Sequence, residues 1–321
     1  MARYVVKRIL AALPVLLAVI ILVFTINYFT PGDPVLVILG SDATEEQILA
    51  KRAELRLDQP YFVQLFHYIK GIVTEFDFGD SYTTRVPVKE EILTRFPTTL
   101  KLAFSGIGLA AVLGILLGTL SAIYQDTIVD YIATFLSILG ASVPLFWLAL
   151  MLMIVFSLKL EWFPASGTES FKSWVLPVIA VSIPPLATFT RMTRSSMLEV
   201  IRQDYIRTAR SKGISERIVI FKHALKNALM PIITVIGMQV GRALGGSLVT
   251  ESIFSIPGLG TLMITAIKSK NYTVIQGCVL FCAMMFVLFN LIVDVFYAFI
   301  DPRIKARYMR QAKRTAKVKN L

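Results

Sequence analysis

Six long apolar stretches constrain what this chain can fold into more than any other feature of its sequence. A helix of roughly 20 apolar residues crosses the hydrocarbon core of a bilayer. The chain is 55% hydrophobic and 17% charged, whereas soluble domains carry about 25% charged residues. The stretches cover residues 9–29, 100–124, 131–158, 174–190, 229–249 and 274–300. The sequence therefore predicts an all-α integral membrane protein with six transmembrane helices.

The fourth stretch, 174–190, has the weakest pattern of the six. It is short, and Pro177, Pro184 and Pro185 interrupt it. Proline removes a helical hydrogen bond and disfavours the α conformation of the residue before it. A re-entrant segment is therefore an alternative to a full crossing here. An odd number of crossings would, however, place the two termini on opposite sides of the membrane.

Charge is distributed unevenly between the segments that join these stretches. One set holds 20 Lys and Arg against 6 Asp and Glu, and it comprises 1–8, 125–130, 191–228 and 301–321. The other set holds 11 against 14, and it comprises 30–99, 159–173 and 250–273. Because cytoplasmic segments carry the excess of Lys and Arg, both termini are predicted to be cytoplasmic. The net charge of +12 then reflects topology and anionic lipid rather than binding to nucleic acid.

The same division predicts the domain organisation. The units are a cytoplasmic N-terminus with the first helix (1–29), an external cap (30–99), a five-helix core (100–300) and a basic cytoplasmic tail (301–321). Apolar spacing inside the cap predicts amphipathic helices over 45–55 and 60–73. The cap either packs on the helix ends or docks a partner. The external loop 250–273 either stays outside or re-enters the bilayer against protein.

The cytoplasmic loop 191–228 combines nine Lys and Arg with regularly spaced apolar residues. Residues 204–212 read as a helix, and Gly213 stands where a left-handed residue would end it. Ser215 could then cap a second helix over 216–227. Such a helix–Gly–helix either lies on lipid headgroups or forms a rigid knob that fits a groove on a cytoplasmic partner.

The sequence offers no catalytic or metal site. A phosphate-binding loop of the G-x-x-x-x-G-K-[ST] type is absent from it. His67 and His223 fall on opposite sides of the membrane in the predicted topology. Cys278 and Cys282 lie four residues apart in the last stretch and read as small apolar residues.

Charged residues inside the stretches are costly in a bilayer and often functional. Arg242 lies in the fifth stretch close to Gly241 and Gly245, whose lack of side chains permits either close helix approach or a water-filled path. Arg242 is therefore a candidate cation for an anionic group such as a peptide carboxylate, or else it makes an interhelical or lipid-facing contact. Asp294, in the sixth stretch, is expected to form a structural ion pair near the inner end.

Several short motifs follow one another along residues 3–305. They are PGDP (31–34), LDQP (57–60), DFGDS (77–81), TARSKG (208–213), HALKNA (223–228), PGLG (257–260) after Glu251 and Phe254, and DPR (301–303) after Asn290, Asp294 and Tyr297. With these motifs the chain resembles the peptide/nickel branch of the binding-protein-dependent ABC importer permeases, especially the first permease subunit of dipeptide and oligopeptide importers. The resemblance implies a type I ABC importer permease fold.

The resemblance also implies site residues. In that family the loop that corresponds to 191–228 carries the coupling helix, which docks into a cleft of an ATPase subunit. The residues carried over to this role are Tyr205, Arg207, Thr208, Ala209, Arg210, Lys212, Gly213 and Ser215. Arg207 and Thr208 stand where the generic signature has Glu and Ala, so no salt bridge is carried over to the Glu position. Gly241, Arg242 and Gly245 are expected in the translocation path, and Asp294, Asp301 and Arg303 in structural ion pairs.

The function that the resemblance implies is that of a non-catalytic membrane subunit of an ATP-driven importer of dipeptides or oligopeptides in a bacterial plasma membrane. Its expected partners are a second homologous permease, two ATP-binding subunits, an external substrate-binding protein, the peptide and membrane lipid. This chain is expected to bind no cofactor, since ATP with Mg is used by the partner subunits. One alternative is the same machine carrying nickel, a metal chelate or haem. Another is a self-sufficient secondary transporter, which would need an ion site at the midplane.

Overall fold

The computed structural model describes residues 2–40 and 42–300, and within them the chain is helical, with no strand. The helices in chain order are α1 (Ala2–Phe29), α2 (Pro34–Leu39), α3 (Glu45–Glu54), α4 (Tyr61–Glu75), α5 (Val88–Ile123), α6 (Ile128–Ser142), α7 (Leu145–Leu152), α8 (Phe171–Ile201), α9 (Asp204–Ser211), α10 (Glu216–Ile218), α11 (Lys226–Ile253), α12 (Leu259–Lys268) and α13 (Tyr272–Ile300). Two π-helical segments extend this set. Met153–Lys159 continues α7, and Val219–Leu225 joins α10 to α11.

Five helical segments are long and apolar enough to cross a membrane without a break. They are Arg8–Phe29, Val88–Ile123, Phe171–Ile201, Glu216–Gly245 and Tyr272–Val293. A sixth crossing is possible if the bent pair Ile128–Ser142 and Leu145–Lys159 counts as one span. The all-α membrane fold predicted from the sequence is thus confirmed.

The third and fourth predicted spans differ from expectation. The third stretch, 131–158, is not one straight helix, because its two halves meet at 104° around Val143 and Pro144. The fourth, which had the weakest sequence pattern, lies in an unbroken helix of 31 residues. Helix α8 is therefore long enough to cross a membrane and lacks the re-entrant break that its prolines suggested.

Helices α5 and α8 pack closely along most of their length and form the centre of the molecule. Gly106, Gly114 and Gly118 of α5 lie directly against α8. A Cβ atom at Gly118 would lie 2.5 Å from the carbonyl oxygen of Thr190. Small residues thus let the two backbones approach, as is common between helices in membranes.

The predicted cap contains α2, α3 and α4. Thr44 and Gln47 form a capping box at the start of α3, where the sequence predicts a helix. Helix α4 lies beside α1, with the Tyr61 hydroxyl of α4 2.7 Å from Thr25 Oγ1 of α1. The cap is tied to the start of α13, where the Asn271 amide donates hydrogen bonds to the hydroxyls of Ser81 and Thr83.

Candidate coupling segment and translocation path

The short helix α9 and the turn after it have the conformation that the sequence predicts. Helix α9 ends at Ser211, and Gly213 has a φ of +71°. A positive φ costs little for glycine and is unfavourable for other residues. The Gly213 amide donates a hydrogen bond of 2.9 Å to the carbonyl oxygen of Arg210, which closes the end of the helix.

One face of α9 is buried and the other is open. Ile206 and Ala209 are buried in a cluster with Met197 of α8 and with Val219 and Ile220, just before α11. Seven of the eight residues predicted for coupling are exposed, and these are Tyr205, Arg207, Thr208, Arg210, Lys212, Gly213 and Ser215. Ala209 differs from them because its side chain is buried in this cluster.

An ion pair spans the turn at Gly213. The Arg210 guanidinium contacts both carboxylate oxygens of Glu216, with its Nη2 2.6 Å from Oε1 and its Nε 3.1 Å from Oε2. Glu216 thereby raises the pKa of Arg210 above its ordinary value. An exposed pair of this kind contributes at most about 1 kcal/mol, so its main effect is to fix the orientation of α9 relative to the next helix.

The helix that follows Gly213 is longer than the sequence predicts. It was expected to end near residue 227, before Pro231, but it runs from Glu216 through the π-helical segment into α11 and ends only at Ile253. Ser215 stands at its N-cap position, although its side chain makes no capping hydrogen bond. Consequently, the exposed face of α9 is attached to a helix that continues into the membrane.

A buried ion pair beneath this segment was missed by the sequence analysis. Arg194 of α8 donates to Asp130 of α6 in a bidentate arrangement, with both nitrogen–oxygen distances at 2.7 Å. The Ser121 hydroxyl and the Asp126 amide also donate to the Asp130 carboxylate. The side chain of Asp130 is 3% exposed. The only sequence signal was an acidic residue in the first turn of a helix.

The three residues predicted for the translocation path lie within about one turn of α11 and differ in burial. Gly241 is buried against α13, where a Cβ atom would lie 2.9 Å from the Phe286 ring. Arg242 and Gly245 are exposed, and a Cβ atom at Gly245 would meet no neighbour within 4 Å. Arg242 and Gly245 therefore share an uncovered face of α11.

The ion pairs predicted for Asp294, Asp301 and Arg303 involve side chains outside the described part of the chain. Residues 301–321, which include the predicted basic tail, are not among the described residues, and neither is the side chain of Asp294. Among the residues that are described, no group of three His, Cys, Asp or Glu side chains could hold a metal ion.

The turn after α11 is fixed by a buried carboxylate. Glu251 is fully buried and accepts a hydrogen bond of 2.6 Å from the Gly260 amide. Burial raises the pKa of this carboxyl group. A Cβ atom at Gly260 would lie 2.4 Å from the backbone of Leu248, so only glycine fits there. The PGLG motif thus packs directly onto the end of α11.

Comparison with known proteins gives matches along nearly the whole chain. The family described as "Binding-protein-dependent transport system inner membrane component" matches residues 114–306, and its N-terminal counterpart matches residues 1–103. The dipeptide transport system permease protein of Alkalihalophilus pseudofirmus is 41% identical over 95% of this chain and 100% of its own length. The glutathione transport system permease protein of Escherichia coli (strain K12) is 40% identical over 95% of this chain and 99% of its own length.

Solved structures show the same fold at low sequence identity. An inward-facing form of the MetNI methionine ABC transporter matches with a TM-score of 0.56 at 16% identity, over 65% of this chain and 96% of the matched chain. An amino acid ABC transporter crystallised with histidines matches with a TM-score of 0.53 at 15% identity, over 65% of this chain and 94% of the other.

Proposed function

Because the chain belongs to the family of binding-protein-dependent transport system inner membrane components, we propose that it is the permease subunit through which an ABC importer carries small peptides. The relatives named for dipeptide and glutathione transport support this substrate class, since both substrates are short peptides. The chain is a multi-pass membrane component. In this proposal ATP, with Mg, is bound and hydrolysed by two partner subunits, while a second permease and an external binding protein complete the importer in a bacterial plasma membrane.

The packing of α9 against the base of the fifth span is the observation that carries the proposal. The exposed face of α9 offers Tyr205, Arg207 and Lys212 to a cytoplasmic partner. Its buried face packs on the base of the helical run from Glu216 to Ile253. A partner that moves α9 would therefore also move the fifth span, which is how a chain without an energy source can be driven by ATP hydrolysed elsewhere.

Arg242 is the residue of the path that we propose binds the substrate. It lies on an uncovered face of α11 together with the exposed Met238 and Gly245. A cation exposed to lipid at this depth is costly, so this face should meet water or another protein. In the proposed assembly the face borders the pore, where the guanidinium can pair with a peptide carboxylate.

Substitution of Gly213 tests the coupling role. Gly213→Pro removes the amide donor and demands a φ near −65° where the native value is +71°, so we expect import by the assembled transporter in proteoliposomes to fall at least about tenfold. Gly167→Pro is the matched control, because Gly167 also has a positive φ, of +93°, and open space around it. Full-rate import by Gly213→Pro, or solute movement by the chain without ATPases, would contradict the proposal.

Substitution of Arg242 tests the path. Arg242→Ala should reduce import of dipeptides with a free carboxyl terminus by about tenfold, as expected from losing roughly 1.4 kcal/mol of pairing, and should affect C-terminally amidated dipeptides less. Arg242→Lys retains the charge and should retain most of the import. An equal loss for both kinds of peptide would show that Arg242 does not recognise the carboxylate.

A further inference from the structure

Helix α4 of the cap carries an apolar stripe that no other part of the described chain covers. Phe62 is 78% exposed, Phe66 64% and Val73 73%. These three residues, hereafter the α4 stripe, are four and seven positions apart and therefore lie on one side of the helix. Two aromatic rings and a valine exposed in a row are unusual on a surface that faces water.

The opposite side of α4 lines a cavity. Gln64, His67, Tyr68 and Gly71 line a cavity of about 1040 Å³ between α4, α3 and the segment 77–82. At 100° per residue these four positions lie roughly 120–180° from the centre of the α4 stripe. Helix α4 is thus amphipathic, with its polar side turned inward to the cavity and its apolar side turned outward.

The outward side of α4 continues the outward surface of the first span. Tyr61 and Tyr68 of α4 contact the Phe24 ring, with centroid separations of 5.6 and 5.5 Å. Further along α4, Ile72 belongs to the same buried cluster as Ile20 of α1. Helix α4 therefore runs antiparallel to the last third of α1.

Over this same length α1 exposes its own apolar residues. Leu22 is 58% exposed, Ile26 59% and Phe29 72%. These residues belong to the segment Arg8–Phe29, which is apolar enough to cross a membrane. The α4 stripe and the outer part of α1 together form one continuous apolar surface.

We propose that the α4 stripe is immersed in the lipid of the leaflet that surrounds the end of α1, so that α4 anchors the cap in the membrane. Acyl chains are the occupant that the geometry favours, because the stripe extends the exposed apolar surface of a helix that is apolar enough to cross a membrane. Lys70 is exposed beside the stripe, and its long side chain can reach the headgroup region. The cap is then fixed to the bilayer on one side and lines the cavity on the other.

Site-directed spin labelling tests this placement without relying on import. Cys278 and Cys282 are first replaced by alanine, and single labels are then introduced through Phe66→Cys, through His67→Cys on the opposite face, and through Leu22→Cys as a lipid-facing reference. The full chain is studied in phospholipid nanodiscs, together with the subunits that co-purify with it. We expect the labels at 66 and 22 to collide severalfold more with oxygen than with a water-soluble nickel chelate, and the label at 67 to show the reverse.

Two results would overturn the proposal. If the nickel chelate reaches the label at 66 as readily as the label at 67, the stripe faces water or an external partner. If neither quencher reaches it, the stripe is covered by protein such as a second permease. A Val73→Cys label repeats the measurement at a second position of the stripe, in case the label at 66 disturbs local packing. Because the readout is accessibility, its outcome is independent of the proposed transport function.

Discussion

The third and fourth spans respond to proline in opposite ways. The third contains one interior proline, Pro144, and bends by 104° at that point. Helix α8 contains Pro177, Pro184 and Pro185 and continues for 31 residues. The difference shows that neighbouring helices, and not the number of prolines, decide whether a span breaks.

Helix α8 is held by its neighbours on several sides. Of its most apolar stretch 61% is buried, compared with 17% for α1. Three glycines of α5 lie against it, and the Thr188 hydroxyl donates a hydrogen bond of 3.3 Å to the carbonyl oxygen of Pro184. Dense packing against neighbouring helices holds α8 together where proline removes backbone hydrogen bonds.

The bend between α6 and α7 lies where packing is weaker. Val143, which precedes Pro144, is extended with a ψ of 126°, as expected for a residue before proline. Directly after the bend the chain is uncovered, since Phe146 is 54% exposed and Trp147 48%. With few neighbours there to oppose the local preference, the chain breaks at Pro144. Helix α6 itself packs on α8 near its end, where a Cβ atom at Gly140 would lie 3.0 Å from Ile183, and it is attached at its start by the Asp130–Arg194 pair.

The largest expected effect comes from that attachment. Asp130→Asn removes the charge that pairs with Arg194 and leaves the guanidinium, which is only 30% exposed, without its partner. Breaking a fully buried pair from one side costs about 3–5 kcal/mol, and the partial exposure of Arg194 places this pair at the lower end of that range. We expect a loss of about this size in the free energy of unfolding, measured by equilibrium SDS titration in mixed detergent micelles.

Asp126→Asn is the matched control for this change. Asp126 is exposed and only four residues away, so its neutralisation should change the free energy of unfolding by less than about 0.5 kcal/mol. If both variants lose the same amount, the Asp130–Arg194 pair does not hold α6 on α8, and the contrast between the two spans needs another explanation.

Sequence reasoning was accurate where the determinants are local. The end of α9 at a left-handed Gly213 follows from a capping rule that acts over a few residues, and helix α3 follows from apolar spacing within the cap. The Asp130–Arg194 pair could not be predicted, because its members are 64 residues apart and meet only once α6 packs on α8. The course of α8 through three prolines likewise depends on α5, and the role of Gly241 on its contact with α13. The roles of the exposed α9 residues stay predictions until a partner is tested.

A smaller effect is expected from the packing that keeps α8 straight. Gly114→Val places a side chain where a Cβ atom would lie 2.7 Å from that of Phe189, and overpacking of this kind costs about 1–3 kcal/mol. Gly108→Val is the control, because Gly108 lies in the same helix, is exposed and has no neighbour within 4 Å of its Cβ position. The same SDS titration should separate the two variants, with Gly108→Val close to the parent chain. If Gly114→Val were as stable as Gly108→Val, α8 would not depend on close contact with α5. Its continuity through three prolines would then have to come from hydrogen bonds within the helix itself.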